Sequence, residues 1–155
     1  MSICMRWLVL GLVICTPVGA ADFLRHVDPG PGVTDVQPLK QNWEDDVANE
    51  FYNMPQGSRL LPYDWFLHLE QAGSETKFRD NGHIRSLGYI PRMLDLKNPD
   101  GLPIGFIDDA PYEGGIRGLG MTCAACHTSL IKHGTTAYLI DGGPTNQTQI
   151  YLKII

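Results

Sequence analysis

Much of what would mark a zinc protein, a membrane protein or a nucleic-acid binder is missing from this sequence. Its 155 residues hold four cysteines, at positions 4, 15, 123 and 126, and a single C-x-x-C pair with no H-x-x-x-H. A tetrahedral zinc site takes four protein ligands, commonly from two such pairs, so zinc has poor support. No apolar run reaches the ~20 residues that a membrane-spanning helix requires. No cluster of Lys and Arg occurs, and 12 basic against 17 acidic residues give a formal net charge of −5. Such an acidic chain carries no electrostatic footprint for nucleic acid. Stretches free of both proline and glycine are short, because 11 Pro and 17 Gly are spread along the chain. That excludes a bundle of four long helices. No internal repeat or low-complexity tract is present.

What is there begins with a leader. Residues 1–20, MSICMRWLVLGLVICTPVGA, place Arg6 ahead of an apolar stretch from Trp7 to Cys15 and end in the small residues Gly19 and Ala20. This pattern fits a secretory signal peptide cleaved before Ala21. It leaves residues 21–155 as one domain with a net charge of −6, from 11 basic and 17 acidic residues. An uncleaved anchor is one alternative. A lipoprotein signal is another, although Ile14 stands where a small residue should precede Cys15. Cleavage implies a periplasmic or secreted bacterial protein with no stable membrane span. Its remaining thiols are Cys123 and Cys126.

Those two thiols sit in GMTCAACHTS, residues 120–129, where Cys123, Cys126 and His127 fall within five consecutive positions. C-x-x-C-H is the attachment signature of c-type haem: the sulfurs form thioether bonds to the porphyrin and the histidine becomes the proximal iron ligand. On a short helix the spacing turns both sulfurs toward one edge of the macrocycle, with the imidazole under the ring. A thioredoxin-like redox pair and a structural disulfide remain as competing readings. Export agrees with haem attachment, which takes place outside the cytoplasm. One covalent haem c per chain is expected, with His127 as the metal ligand. Thr122 is a candidate N-cap for the attachment helix, and Gly118 and Gly120 are candidate turn residues leading into it.

Elsewhere the periodicity points to helices. LKQNWEDDVANEFYNM (39–54) spaces Trp43, Val47, Phe51 and Met54 three or four apart with acidic residues between, as an amphipathic helix does. PYDWFLHLEQ (62–71) reads as a second helix, opened by Pro62 and ended near Gly73. KNPDGLPIGFIDDAPYEGG (97–115) reads as turn chemistry throughout. TTAYLIDGG (135–143) alternates Thr136, Tyr138 and Ile140 and reads as a short strand or extended segment closed by Gly142 and Gly143. The expected fold is mainly α: a cytochrome c-like haem domain with long irregular loops.

Four separated stretches, QGSRLLPYDWFLHLEQ (56–71), NPDGLPIGF (98–106), GLGMTCAACHT (118–128) and IDGGP (140–144), together resemble the N-terminal haem region of large exported di-haem c-type cytochromes. That group is related to di-haem cytochrome c peroxidases and to rubber-cleaving di-haem dioxygenases. The resemblance implies that the chain is truncated relative to the group, whose members are several times longer and carry a second C-x-x-C-H further on. It also implies either of two activities. One is electron transfer by a single haem. The other belongs to the N-terminal part of a peroxidase- or oxygenase-type enzyme.

The sixth iron position has six candidates in His26, His68, His83, His133, Met54 and Met93. Met121 is too close to Cys123 to reach the far face of the ring. Trp65 and Phe66 are candidates for packing on the haem or in the core. Asp108 and Asp109, beside Pro and Gly, read as a solvated loop rather than a calcium or acid/base site. Asn146-Gln147-Thr148 matches a glycosylation sequon by chance. The expected partner is a redox protein or a small-molecule oxidant.

Overall fold

The computed structural model describes residues 26–94, 98–109 and 115–143. The leader, the sequon and the C-terminal tail lie outside these residues. Among the described residues the framework is two three-stranded sheets. The first runs β1–β6–β5, with β1 (Asp35–Pro38) parallel to β6 (Thr136–Asp141) and β5 (Thr128–His133) antiparallel to it. The second runs β2–β4–β3, with β4 (Gly118–Met121) between β2 (Leu61–Pro62) and β3 (Phe106–Asp109), all antiparallel. Four helices accompany them: α1 (Asp45–Asn53), α2 (Tyr63–His68), α3 (Asn81–Ser86) and α4 (Cys123–His127). The mainly α expectation is therefore overturned, since the longest of these helices has nine residues and the sheets carry the connectivity.

The physical reason lies in three segments. In 39–54 the helix covers only Asp45–Asn53, so Trp43 falls outside it. The expected apolar stripe is not the buried one: Val47 and Met54 are each 49% exposed, and the anchor is Tyr52 at 8%. In 62–71 the helix stops at His68, where Leu69 takes extended angles and hands the chain to an isolated bridge between Glu70 and Lys77. Phe66 enters the core at 2% exposure, whereas Trp65 is 69% exposed.

The third segment is 97–115, read as turn chemistry throughout. It contains β3, and Leu102, Pro103, Ile104, Gly105 and Phe106 ahead of and into that strand are all buried. Asn98, itself 4% exposed, replaces the missing ladder there. Its amide donates to the Leu102 carbonyl at 3.1 Å, and the Leu102 N–H donates back to Asn98 Oδ1 at 2.9 Å. A buried loop is tolerable only when its backbone groups are satisfied in this way.

Gly118 and Gly120 are strand residues rather than turn residues, on the fully buried β4. A Cβ at Gly120 would come within 3.1 Å of both Asp109 Cβ and Ile107 Cγ1. TTAYLIDGG does form a strand, with the opposite set inside: Ala137 and Leu139 are buried at 0% and 2%. Asp108 and Asp109 sit on β3, not in a solvated loop. Asp108 pairs with Arg117, and Asp109 is 9% exposed with Arg59 Nε 3.7 Å away.

Two apolar clusters result. One holds Tyr63, Phe66, Ile84, Tyr89, Leu102, Phe106, Leu119, Met121 and Ala125. The other holds Val27, Tyr52, Ile90, Ile104, Ala124 and Leu139. Helix α4 joins the end of β4 to the start of β5, so the chain passes from one sheet to the other through it. Its consecutive alanines belong to different clusters.

A close backbone approach occurs at Gly105, whose φ is +74° and whose notional Cβ would lie 2.0 Å from Ala125 N and 2.4 Å from Ala125 Cα. Backbone atoms cannot step aside. Gly105→Ala is expected to cost about 3 kcal/mol or more, combining left-handed strain with overpacking. Gly57→Ala, at φ +72° with nothing within 4 Å, should cost only about 1–2 kcal/mol. Urea unfolding of the two variants side by side tests this, and equal losses would contradict the close packing.

Candidate functional site

Helix α4 is built from its cap upward. Thr122, extended at φ −110° and ψ 173°, lies just before the first turn, and its hydroxyl accepts the Ala124 N–H at 3.2 Å. The same residue's N–H donates to the Gly105 carbonyl at 2.8 Å, and its hydroxyl donates to the Tyr52 carbonyl at 3.3 Å. Thr122 is thus tied to three separate segments, and the expectation that it caps the attachment helix holds. Ala124 and Ala125 point inward at 1% and 2% exposure. Turning about 100° per residue, Cys126, Cys123 and His127 then share the outward arc. Cys123 is exposed, Cys126 half-buried against the first cluster, and His127 exposed.

The imidazole has a fixed partner. His127 Nδ1 lies 3.2 Å from the Gly143 carbonyl oxygen. A carbonyl can only accept, so Nδ1 is the donor in this contact, which in the neutral imidazole leaves the lone pair on Nε2, the tautomer an iron ligand needs. Both thiols are free. Burial, reinforced by the neighbouring Cys123 sulfur, pushes the Cys126 thiol above its ordinary 9.0, so it is protonated at neutral pH. Among the described residues no group of three or more His, Cys, Asp or Glu side chains converges on a point where a metal ion could sit. Haem c asks for no such convergence, since its sulfurs bond the porphyrin and only the imidazole meets iron. Two free thiols and one oriented imidazole on a common face, with small side chains behind, fit that group.

The four stretches singled out in the sequence meet around this helix. The Tyr63 hydroxyl donates to Asp100 at 2.7 Å, joining the first to the second. The N–H groups of Gln56 and Leu60 donate to the carbonyls of Met121 and Leu119 at 3.2 and 3.0 Å, joining the first to the third. Thr122 joins the third to the second. The Gly143 carbonyl and Asp141, which accepts from Thr128 Oγ1 at 3.4 Å, join the third to the fourth.

The six residues considered for a sixth iron ligand are dispersed. His133 ends β5, six residues and roughly 20 Å along the strand from His127. His68 is exposed, with Nδ1 2.7 Å from the Asp64 carbonyl. His83 stacks edge-on to Phe78 at 4.7 Å. The His26 carbonyl accepts the Met93 N–H at 2.7 Å. Met93 helps line a cavity of about 530 Å3 whose wall includes Lys77, Arg79, Asp80 and Arg92 but none of the three motif residues. Met54 differs from these five. It lies between Tyr52, whose carbonyl accepts from Thr122, and Gln56, whose N–H reaches Met121, so its backbone runs beside the entry to α4.

Four positions escaped the sequence reading as parts of the site: Gly105, Tyr52, Asp141 and Gly143. Gly105 left a signal, being a glycine inside the apolar run Leu102–Phe106. Tyr52 left none, because its burial depends on Asp141, 89 residues away.

No known protein-family model matches the chain, and no solved structure matches it. An uncharacterized protein of Sinorhizobium fredii, y4iJ, is 29% identical over 134 residues, an alignment covering 74% of this chain and 22% of that protein. The chain thus spans about a fifth of the length of the curated relative it matches. Among the described residues no helix is long and apolar enough to cross a membrane.

Burial, and then the hydrogen bonds to Asp141 and Asp100, push the hydroxyls of Tyr52 and Tyr63 well above the usual 10.0. In both residues the folded chain holds the proton more tightly than the unfolded chain does. The stability they contribute is therefore full below pH about 10 and is lost as pH rises above it. A spectrophotometric tyrosine titration should show Tyr52 and Tyr63 ionising only as the protein unfolds. Ordinary titration of both would overturn the assignment.

Proposed function

We propose that the chain is an exported c-type cytochrome domain that carries one covalently bound haem c and passes single electrons to and from a redox partner protein or a small-molecule oxidant. The observation that supports it is the shared outward face of Cys123, Cys126 and His127, with the His127 proton directed to Gly143. Cys123 and Cys126 would supply the two thioether sulfurs, and His127 the proximal nitrogen through Nε2. Ala124 and Ala125 let the helix back lie flat on the two clusters, and the Thr122 cap fixes where its first turn begins. When bound, haem c supplies an iron that changes oxidation state by one electron. The chain's part is to hold the imidazole in one tautomer and to keep both sulfurs at fixed separation along one edge. The reading does not depend on a cytochrome c-like α fold, which the sheets contradict.

A second reading is favoured by the length of the matched relative, of which the shared region is 22%. On that reading the region belongs to a larger di-haem peroxidase- or oxygenase-type protein. An electron carrier needs two strong axial ligands, whereas such an enzyme needs one displaceable position. Met54, whose backbone runs beside the entry to α4, is the candidate sixth ligand to replace first.

Expression with a haem-attachment system should give a chain whose haem resists acid acetone. In Cys126→Ala one thioether is lost and a vinyl group remains, so the pyridine haemochrome band should move to the red. Haem freely extracted from the unmutated chain would overturn covalent attachment. Added cyanide should leave the spectrum of an electron carrier unchanged, and cyanide binding would favour the enzyme reading.

A further inference from the structure

The bond from His127 to Gly143 raises a physical difficulty. His127 is exposed, so water competes for Nδ1–H, and the acceptor lies at the end of a Gly-Gly pair. Gly142 is at φ +70°, and glycine backbone loses the most freedom when it is ordered. A carbonyl on so pliable a segment holds an exposed imidazole only if something else holds the segment.

We propose that Asp141, Tyr52 and Thr128 form a positioning cluster that keeps the Gly143 carbonyl against His127, fixing the imidazole tautomer that leaves Nε2 free. The carboxylate Oδ1 of Asp141 accepts the Tyr52 hydroxyl and, at 3.4 Å, the Thr128 hydroxyl. Thr128 and Asp141 are paired across the β5–β6 ladder. Thr128 directly follows His127, and Asp141 stands two residues before Gly143, so the cluster grips both sides of the bond it serves. Tyr52 and Thr128 are 8% and 2% exposed, which makes their hydroxyls poor sites for water and Asp141 their natural acceptor.

The backing is aromatic. Trp43 Cζ2 stands 4.0 Å from where a Cβ on Gly142 would lie. Its ring meets Phe51 edge-on at 4.9 Å, and Phe51 meets Tyr52 at 5.3 Å. The segment Asp141–Gly143 is therefore held by hydrogen bonds at one end and flanked by an indole in the middle. This also accounts for Trp43, which the helix leaves outside. These three are positioning residues, since none of them contacts the iron-binding nitrogen. What the tautomer is for rests on the haem reading above, whereas the clamp itself does not.

The test uses the full chain without haem, so that the clamp is read independently of attachment. Nitrogen-15 NMR of the histidine ring at mildly alkaline pH reports which nitrogen carries the proton. His127 of the unmutated chain should be mainly Nδ1–H. In Tyr52→Phe, which keeps the ring and removes the hydroxyl, the ratio of Nδ1–H to Nε2–H should fall roughly three- to tenfold, the range one net hydrogen bond commands. Thr128→Val should shift it in the same direction and serves if Tyr52→Phe fails to fold. A ratio unchanged in a folded variant of either kind would overturn the clamp, whether or not haem attaches. A chain that takes up no haem yet shows the shift would overturn the haem reading and leave the clamp standing.

Discussion

The lack of room around α4 is the constraint from which the rest follows. The Ala125 backbone is approached so closely by Gly105 that any Cβ there would collide with it. Ala124 faces one apolar cluster and Ala125 the other. A larger side chain at either alanine would force the clusters apart, which well-packed interiors resist. The helix can therefore sit in only one rotation about its axis. That rotation turns Cys123, Cys126 and His127 outward together. The site is thus a consequence of packing on its inner face as much as of the residues it displays.

This constraint explains why distant stretches participate. Gly105 can reach Ala125 only because Asn98 replaces the backbone partners of a buried loop and because β3 pairs with β4 immediately before the helix. Tyr63 ties Asp100 to the same sheet while Arg117 covers its ring at 4.5 Å. On the other side, β5 and β6 carry the chain away from His127 and back to Gly143 in register. The turn of that hairpin is made at Gly134, with φ +61°. Hydrogen bonds and strand pairing thus close a loop through space from His127 back to His127, and the imidazole takes its orientation from that loop.

The helical periodicity in 39–54 was real, but it described less than it promised. Spacings of three and four between apolar residues say that a helix would be amphipathic; they do not say which residues find a partner. Tyr52 is buried because a carboxylate and a threonine hydroxyl wait for it across 76 or more residues of chain. Val47 and Met54, on the apparent stripe, are each 49% exposed. In β6 the alternation was equally real, and the inner set was the one with small Ala137 and branched Leu139, which fit against the second cluster. Alternation fixes that two faces differ. Which face is inside is decided by the neighbouring layer.

The local pattern of the candidate site was determined by sequence alone. The spacing Cys123–Cys126–His127, the Thr122 cap and the shortness of α4 are local properties, governed by residues within one or two turns of each other. The expected leader and the acidic balance likewise rest on composition. Tertiary structure alone decided the architecture around that helix. Two sheets stand where irregular loops were expected, Gly118 and Gly120 are strand residues, and 102–106 is a buried wall rather than a surface turn. The reason is that β-pairing joins positions dozens of residues apart, such as Leu61 with Leu119 and Asp35 with Thr136. No window of neighbouring residues contains both halves of such a pair, whereas a C-x-x-C-H motif contains the whole of itself.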